Sequence, residues 1–221
     1  MGEKGEFASN GGTASGYLAT PEGGSGPGVV VIQEWWGLVP HIKDVADRYA
    51  AEGFVALAPD LYHGKSTTEP DEANKLLMNM QMEQAAKDMS GAVTYLLDRE
   101  EVRPKKVGVT GFCAGGGLAL KLAAIAPVDA VAPYYSFFVP EDAEGIDVPM
   151  QGHYAEHDPS TEKAVPLFER LRAEGKDAEM FVYPGTEHAF YNDDRDDVHD
   201  PEASALAWER TLAFFRKHLS Q

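Results

Sequence analysis

The chain has 221 residues, 43% of them hydrophobic, and this length and apolar content suit one folded domain with a sizeable core. Its 36 acidic and 19 basic residues leave a formal net charge of −17, which argues against nucleic acids and anionic membranes as partners. The single cysteine excludes an internal disulfide, and no apolar leader or membrane-spanning run is evident. We therefore predict a cytoplasmic protein, monomeric or weakly self-associating.

The first predicted element is a small hairpin over residues 6–19, centred on Asn10-Gly11-Gly12, because Asn-Gly is a strong turn signal. Apolar, β-branched runs then predict strands at 28–33, 54–58, 106–112, 130–135, 148–152 and 178–183. Amphipathic or helix-forming runs predict helices at about 41–52, 71–98 with one break, 118–124, 161–174 and 201–218.

Strands and helices thus alternate along the chain. That alternation predicts an α/β protein with a mostly parallel central sheet and helices on both faces, forming one domain over residues 1–221. The longest connection between strands, roughly 59–105, is itself mostly helical. We therefore expect no large cap domain.

A short stretch, Gly111-Phe112-Cys113-Ala114-Gly115, stands between a predicted strand and a predicted helix. It matches the nucleophile elbow G-x-S-x-G with cysteine in place of serine. A lone cysteine is often only a small buried hydrophobe. The glycines at 115–117 also suggest a phosphate loop, although no Lys-Ser/Thr follows them. A catalytic role for Cys113 therefore depends on finding a base and an acid elsewhere in the chain.

Two such partners follow the last predicted strands. His188 lies in the loop after strand 178–183 and is the candidate base, while Asp158 lies after the preceding strand and is the candidate acid that orients it. Asp158 is equally placed to cap the next helix, and Glu156 is the fallback acid. The chain order Cys113, Asp158, His188 is the nucleophile–acid–base order of α/β-hydrolases.

An acyl-transfer site also needs donors for the developing oxyanion. We expect them to be the backbone amides of Ala114 and Trp35, the latter in the loop after strand 28–33. A zinc-like pattern, H-x-x-E-H, occurs at 153–157, but it requires a helix, and Gly152 and Asp158-Pro159 on either side disfavour one. We therefore predict no metal site and no cofactor.

Four motifs together resemble the dienelactone hydrolase family, a cysteine-using branch of the α/β-hydrolases, from about Phe7 to the final helix. They are Val30-Val31-Ile32-Gln33-Glu34-Trp35-Trp36-Gly37-Leu38, Ala58-Pro59-Asp60-Leu61-Tyr62, Gly108-Val109-Thr110-Gly111-Phe112-Cys113-Ala114-Gly115-Gly116 and Gly185-Thr186-Glu187-His188-Ala189-Phe190. The resemblance implies an α/β-hydrolase fold, with Cys113 as nucleophile, His188 as base and Asp158 as its orienter. It also implies that Glu34 pairs with the thiol and controls when the thiolate forms.

The sequence departs from the family pattern in one respect. Family members that act on dienelactone hold the substrate carboxylate with arginines, one of them shortly after the catalytic histidine. Here Asn192 and two aspartates follow His188, and the nearest arginine, Arg195, is crowded by acidic residues. The sequence therefore does not support dienelactone itself as the substrate.

The resulting functional prediction is a hydrolase of small esters or lactones that works through a thioester on Cys113. The alternatives are a promiscuous carboxylesterase without lactone preference, and a non-catalytic hydrolase-fold binding protein or thiol sensor. Aromatic side chains near the motifs predict an apolar substrate pocket, with core packing as the competing explanation for some of them. These pocket residues are Trp36, Tyr62, Tyr134, Tyr135 and Phe137.

Overall fold

The structure, a computed structural model, describes residues 2–9 and 11–220. Within that part of the chain, eight strands form one sheet: β1 (Glu3–Ser9), β2 (Gly12–Ala19), β3 (Gly26–Ile32), β4 (Val55–Pro59), β5 (Val102–Phe112), β6 (Ala130–Tyr134), β7 (Met150–Ala155) and β8 (Ala178–Tyr183). The helices are α1 (Pro40–Ala51), α2 (Pro70–Asn79), α3 (Met82–Asp98), α4 (Ala114–Ile125), α5 (Pro159–Ala173) and α6 (Pro201–Leu219).

The strand order across the sheet is β1-β2-β4-β3-β5-β6-β7-β8. The β1–β2 and β2–β4 pairs are antiparallel, and every other neighbouring pair is parallel. Strand β3 lies near the centre and is buried along its whole length, as its unbroken apolar run predicts for a strand covered on both faces. The predicted mostly parallel α/β architecture is confirmed.

Two apolar cores lie on opposite faces of the sheet. One contains residues of α3, α4 and α5, such as Leu96, Leu118 and Phe168. The other lies under α1 and α6 and contains Tyr49 and Phe215. Because helices cover both faces of the sheet, the loops at the strand ends are the part of the sheet that is open to a ligand.

The predicted hairpin is confirmed by the antiparallel pairing of β1 with β2, although Asn10 itself lies outside the described residues. The predicted helical region 71–98 does break once, at Met80 and Gln81, where the backbone is extended. Strand β7 runs three residues beyond its predicted end at Gly152. The sequence did not indicate this extension, because His153 is polar and yet fully buried.

The connection from β4 to β5 contains α2 and α3, and α3 packs directly on the sheet. Over the described residues, no large cap covers the carboxyl edge of the strands, in agreement with the prediction. None of the helices described combines the length and apolar character required to cross a membrane.

Candidate active site

The predicted site residues follow the parallel strands where their carboxyl ends meet at one edge of the sheet. In an α/β sheet this edge is where ligands bind. The predicted site residues in the loops at this edge are Glu34 after β3, Tyr62 after β4, Cys113 after β5, Tyr135 after β6, Asp158 after β7 and His188 after β8.

Cys113 occupies a strained turn between β5 and α4. Its φ is +57° and its ψ −119°, a conformation that an L-residue adopts only when its surroundings enforce it. The Cys113 N–H donates to the Tyr134 carbonyl at 3.1 Å, and the Cys113 carbonyl accepts from the Phe137 N–H at 3.0 Å. These bonds hold the turn in place and leave the cysteine half-buried rather than enclosed in the core.

The turn requires glycine on both sides. A Cβ at Gly111 would overlap the Gly115 carbonyl, and a Cβ at Gly115 would lie 2.6 Å from the Ile32 oxygen and closer still to that of Gln33. The elbow therefore presses the start of α4 against the end of β3. This close approach explains the small residues that the sequence places around the cysteine.

Asp158 and His188 are in direct contact. His188 Nδ1 lies 2.5 Å from Asp158 Oδ2, while Asp158 Oδ1 accepts the Ser160 N–H at 2.8 Å and so caps α5. The two roles suggested for Asp158 by the sequence thus coexist in one side chain. Burial tends to raise the pKa of Asp158, but the hydrogen bonds from His188 and Ser160 lower it overall, which favours the carboxylate. Glu156 is exposed and instead accepts the Gly185 N–H at 2.7 Å.

His188 also interacts with the cysteine. Burial by itself would lower the pKa of His188, but hydrogen bonds with Asp158 and Cys113 and the charges on both raise it to about 10. The raised pKa favours a protonated imidazole beside the Asp158 carboxylate. A protonated imidazole close to a cysteine is an arrangement that activates a thiol as a nucleophile.

Glu34 is almost completely buried at this edge, with 2% of its surface exposed. Its Oε2 accepts from the Asn192 side-chain amide at 2.7 Å, and its Oε1 accepts from the Tyr135 hydroxyl at 3.3 Å. The resemblance implied a pairing of Glu34 with the thiol, whereas the structure gives its two oxygens to these neutral donors. Sequence reasoning missed the Asn192 contact; its signal was the asparagine at the position where an arginine was expected.

The expected oxyanion donors are the backbone amide directly after Cys113 and an amide in the loop after β3. Ala114 is the first residue of α4, where backbone N–H groups have no acceptor within the helix. Trp35 lies in a turn after β3 in which the Gly37 N–H donates to the Glu34 carbonyl at 3.3 Å. The next residue is fixed as well, since the Trp36 carbonyl accepts from the Thr67 N–H at 3.0 Å.

Two of the predicted pocket residues, Tyr135 and Tyr62, lie close to His188 or Cys113, whereas Trp36 and Phe137 are more exposed to solvent. Tyr135 packs its ring edge on His188 with centroids 5.1 Å apart, and burial together with the charge of Cys113 raises the pKa of Tyr62. Trp36 is half-buried against Trp35, and Phe137 is 56% exposed. A cavity of about 200 Å³ adjoins Tyr62 and is lined partly by α2 and α3.

The prediction is wrong for Tyr134. This residue is fully buried and bonds its hydroxyl to Thr211 of α6 at 2.6 Å, inside the core. Tyr134 is the last residue of β6 and packs with Phe112 in the core under α1 and α6, so its hydroxyl meets Thr211 and not the site.

Comparison with known proteins decides the family. The model of the dienelactone hydrolase family matches residues 14–219. The chain belongs to the dienelactone hydrolase family. "Protein usf" of Aquifex pyrophilus is 42% identical over the whole of both chains. The "Putative carboxymethylenebutenolidase" of Aquifex aeolicus is 39% identical over 99% of this chain and 100% of its own. Among solved structures, a "dienelactone hydrolase-like promiscuous" phosphotriesterase from metagenomic libraries superposes with a TM-score of 0.88 at 25% identity, covering 99% of this chain and 98% of that one.

The segment after His188 shows how the residues at the place of the expected arginine clamp are engaged. Asn192 is engaged with Glu34, and Arg195 donates two hydrogen bonds to Asp197, at 2.7 and 2.6 Å. Asn192 and Arg195 are thus both held by side chains of this chain.

The zinc-like pattern of this dienelactone hydrolase family member lies on a strand and a turn, as predicted, and not on a helix. His153 is fully buried, with Nδ1 2.8 Å from the Tyr183 hydroxyl and Nε2 2.9 Å from the Thr211 hydroxyl. Burial, followed by the charge of Arg210, lowers its pKa to about 3. The ring is a neutral core group with both nitrogens engaged.

Proposed function

We propose that this chain hydrolyses small ester or lactone substrates through a thioester on Cys113. The observation that carries the proposal is the contact of Asp158 with His188 together with the raised pKa of His188 beside the sulfur. Membership in a hydrolase family supports the reaction class.

In the first half-reaction, Cys113 Sγ attacks the carbonyl carbon, and the carbonyl electron pair moves to oxygen. The amides of Trp35 and Ala114 donate to that oxyanion. The tetrahedral adduct then collapses and breaks the bond to the alkoxide, which takes a proton from His188. Asp158 keeps the imidazole oriented and stabilises its charge.

In the second half-reaction, neutral His188 accepts a proton from water as the water oxygen attacks the thioester carbon. Collapse of this adduct expels the Cys113 thiolate and releases the carboxylic acid. His188 retains the proton, which restores the starting imidazolium and thiolate. No step requires a further reactant beyond water.

The test is intact-mass measurement during turnover of a slowly hydrolysed aryl ester. We expect an acyl adduct on the protein that is absent from Cys113→Ala, and a fall in kcat/KM of about 10³-fold or more in Cys113→Ala and His188→Gln. His157→Gln is the matched control, because His157 is an exposed histidine outside the contact with Asp158. Unchanged ester turnover in Cys113→Ala would overturn the proposal.

The substrate class is tested with a panel of esters and lactones. The buried Glu34 carboxylate is bonded to neutral donors, and Arg195 is occupied by Asp197, so we expect uncharged acyl groups to react faster than acyl groups that carry a carboxylate. The alternative of a carboxylesterase without lactone preference is favoured if simple aryl esters react faster than enol-lactones. Preferential turnover of anionic lactones would contradict the expected substrate class.

A further inference from the structure

A single buried carboxylate connects three of the loops that form the candidate site. Glu34 belongs to the loop after β3, which also carries the Trp35 amide. Its hydrogen-bond partners are Tyr135, after β6, and Asn192, on the segment after β8 that carries His188. Glu34, Tyr135 and Asn192 are 2%, 0% and 3% exposed, so water does not compete for these bonds.

The orientation of the Asn192 amide is determined by a second bond. Its Oδ1 accepts from the Asp194 N–H at 3.0 Å, which leaves the Nδ2 group to donate to Glu34. The next residue, Asp193, anchors the same segment to α1 through His41 Nδ1 at 2.8 Å and through Arg48. Asn192 is therefore a donor held rigidly four residues beyond His188.

Tyr135 connects the same carboxylate to the histidine. Its hydroxyl donates to Glu34 while its ring packs edge-on against His188, at 5.1 Å, and against Phe190, at 5.5 Å. The Tyr135 backbone has a φ of +34° and is held there by its N–H, which donates to the His153 carbonyl at 2.7 Å. Enforced backbone strain of this kind is characteristic of positions with a functional constraint.

We propose that Tyr135 and Asn192 are positioning residues that act through Glu34, and that the three side chains form a brace. The brace holds the His188 segment and the Trp35 amide in register with the elbow. On this account the carboxylate of Glu34 accepts two hydrogen bonds that connect the three loops. The inference rests on the proposed function, because it assigns a role in that reaction.

A donor–acceptor exchange tests the brace. Asn192→Asp removes the donor and places two carboxylates in contact. Glu34→Gln replaces one accepting oxygen by an N–H donor, so Tyr135 and Asn192 compete for the single oxygen that remains. Each single variant therefore loses or weakens the bond between positions 34 and 192. The double variant Glu34→Gln/Asn192→Asp restores it in reverse, with the new amide donating to the new carboxylate and the Tyr135 hydroxyl still bonded at position 34. We expect each single variant to lose about 10- to 100-fold in kcat with little change in KM, and the double variant to recover most of that loss.

The matched control is Asn74→Asp, an exposed asparagine of α2 outside the cavity beside Tyr62, which we expect to leave kcat unchanged. Tyr135→Phe keeps the ring and removes only the hydroxyl, and we expect the same loss of kcat from it. The brace is overturned if the double variant is no more active than Glu34→Gln while both unfold at the same urea concentration as the native chain. That result would mean that the charge at position 34 acts on the reaction itself. Wild-type kcat in Asn192→Asp would also overturn it.

A second readout separates this proposal from the proposed function. Cys113 is the sole cysteine, so the rate of its alkylation by iodoacetamide reports how well His188 supports the thiolate, with no ester involved. We expect slower alkylation at neutral pH in each single variant and recovery in the double variant. If the native chain hydrolyses no ester but the alkylation rates fall in the single variants and recover in the double variant, the proposed function fails and the brace stands. Equal alkylation rates in all variants overturn the brace.

Discussion

Asp158 uses its two carboxylate oxygens for two different partners. Oδ2 lies 2.5 Å from His188 Nδ1, and Oδ1 accepts the Ser160 N–H at 2.8 Å at the start of α5. Helix capping therefore fixes the rotamer of the group that orients the histidine. An asparagine caps a helix about as well as an aspartate but carries no charge, so the two functions can be separated experimentally.

We expect Asp158→Asn to lower kcat/KM by about 10³- to 10⁴-fold, because the amide neither stabilises the imidazolium nor selects its tautomer. Asp158→Asn keeps the cap and lowers the free energy of unfolding only by the lost charged contact with His188, whereas Asp158→Ala should lose a further ~1 kcal/mol with the cap. Steady-state kinetics and urea unfolding measure the two effects. Glu156→Gln, altered two residues away, is the control for activity, and native turnover by Asp158→Asn would contradict the assigned role.

His188 should make stability depend on pH in the alkaline range. Its pKa is raised from 6.5 to about 10 in the folded chain, so the folded state holds the proton more tightly than the unfolded state. The stabilisation is fully present below pH 6.5 and is lost as the pH rises through about 10. The difference in unfolding free energy between the native chain and His188→Gln should accordingly shrink between pH 6.5 and 10. A difference that is constant over this range would show that the charged pair does not form.

His153 should produce the opposite dependence. Its pKa is lowered to about 3 by burial and by Arg210, so its contribution is present above pH 6.5 and is lost as the pH falls towards 3. We expect the native chain to lose up to about 1.4 kcal/mol of stability per pH unit from this group, and His153→Gln to show a flatter profile. Urea unfolding between pH 4 and 7 measures both slopes. Parallel profiles would mean that the buried ring takes up its proton in the folded state.

The elbow should not tolerate a methyl group at Gly115. A Cβ there would collide with the backbone oxygens of Ile32 and Gln33, which cannot move without displacing β3. We expect Gly115→Ala to destabilise the chain by about 2 kcal/mol or more and to abolish activity. Gly12→Ala is the control, because its Cβ would meet only the Ser9 oxygen at an ordinary 3.5 Å. Thermal unfolding of both variants provides the comparison.

Much of the fold was predictable because its signals are local. Apolar runs identified the parallel strands, and strand β8 was predicted over the residues that the structure gives it, 178–183. Strand β7 was predicted too short because buried His153 is satisfied by Tyr183 and Thr211, which belong to other elements. Burial of a polar residue depends on partners that a local pattern does not contain.

The amino-acid sequence alone determined the elbow and the placement of Cys113, Asp158 and His188, each after a strand, because glycine spacing and the order of apolar runs can be read directly from the chain. Only the tertiary structure decided which side chains meet there. Glu34 and Asn192 are 158 positions apart, and Glu34 and Tyr135 are 101 apart. Which donor reaches the carboxylate depends on how loops from different strands converge. Tyr134 belongs to the core because α6 packs against β6 and supplies Thr211 as the partner of its hydroxyl.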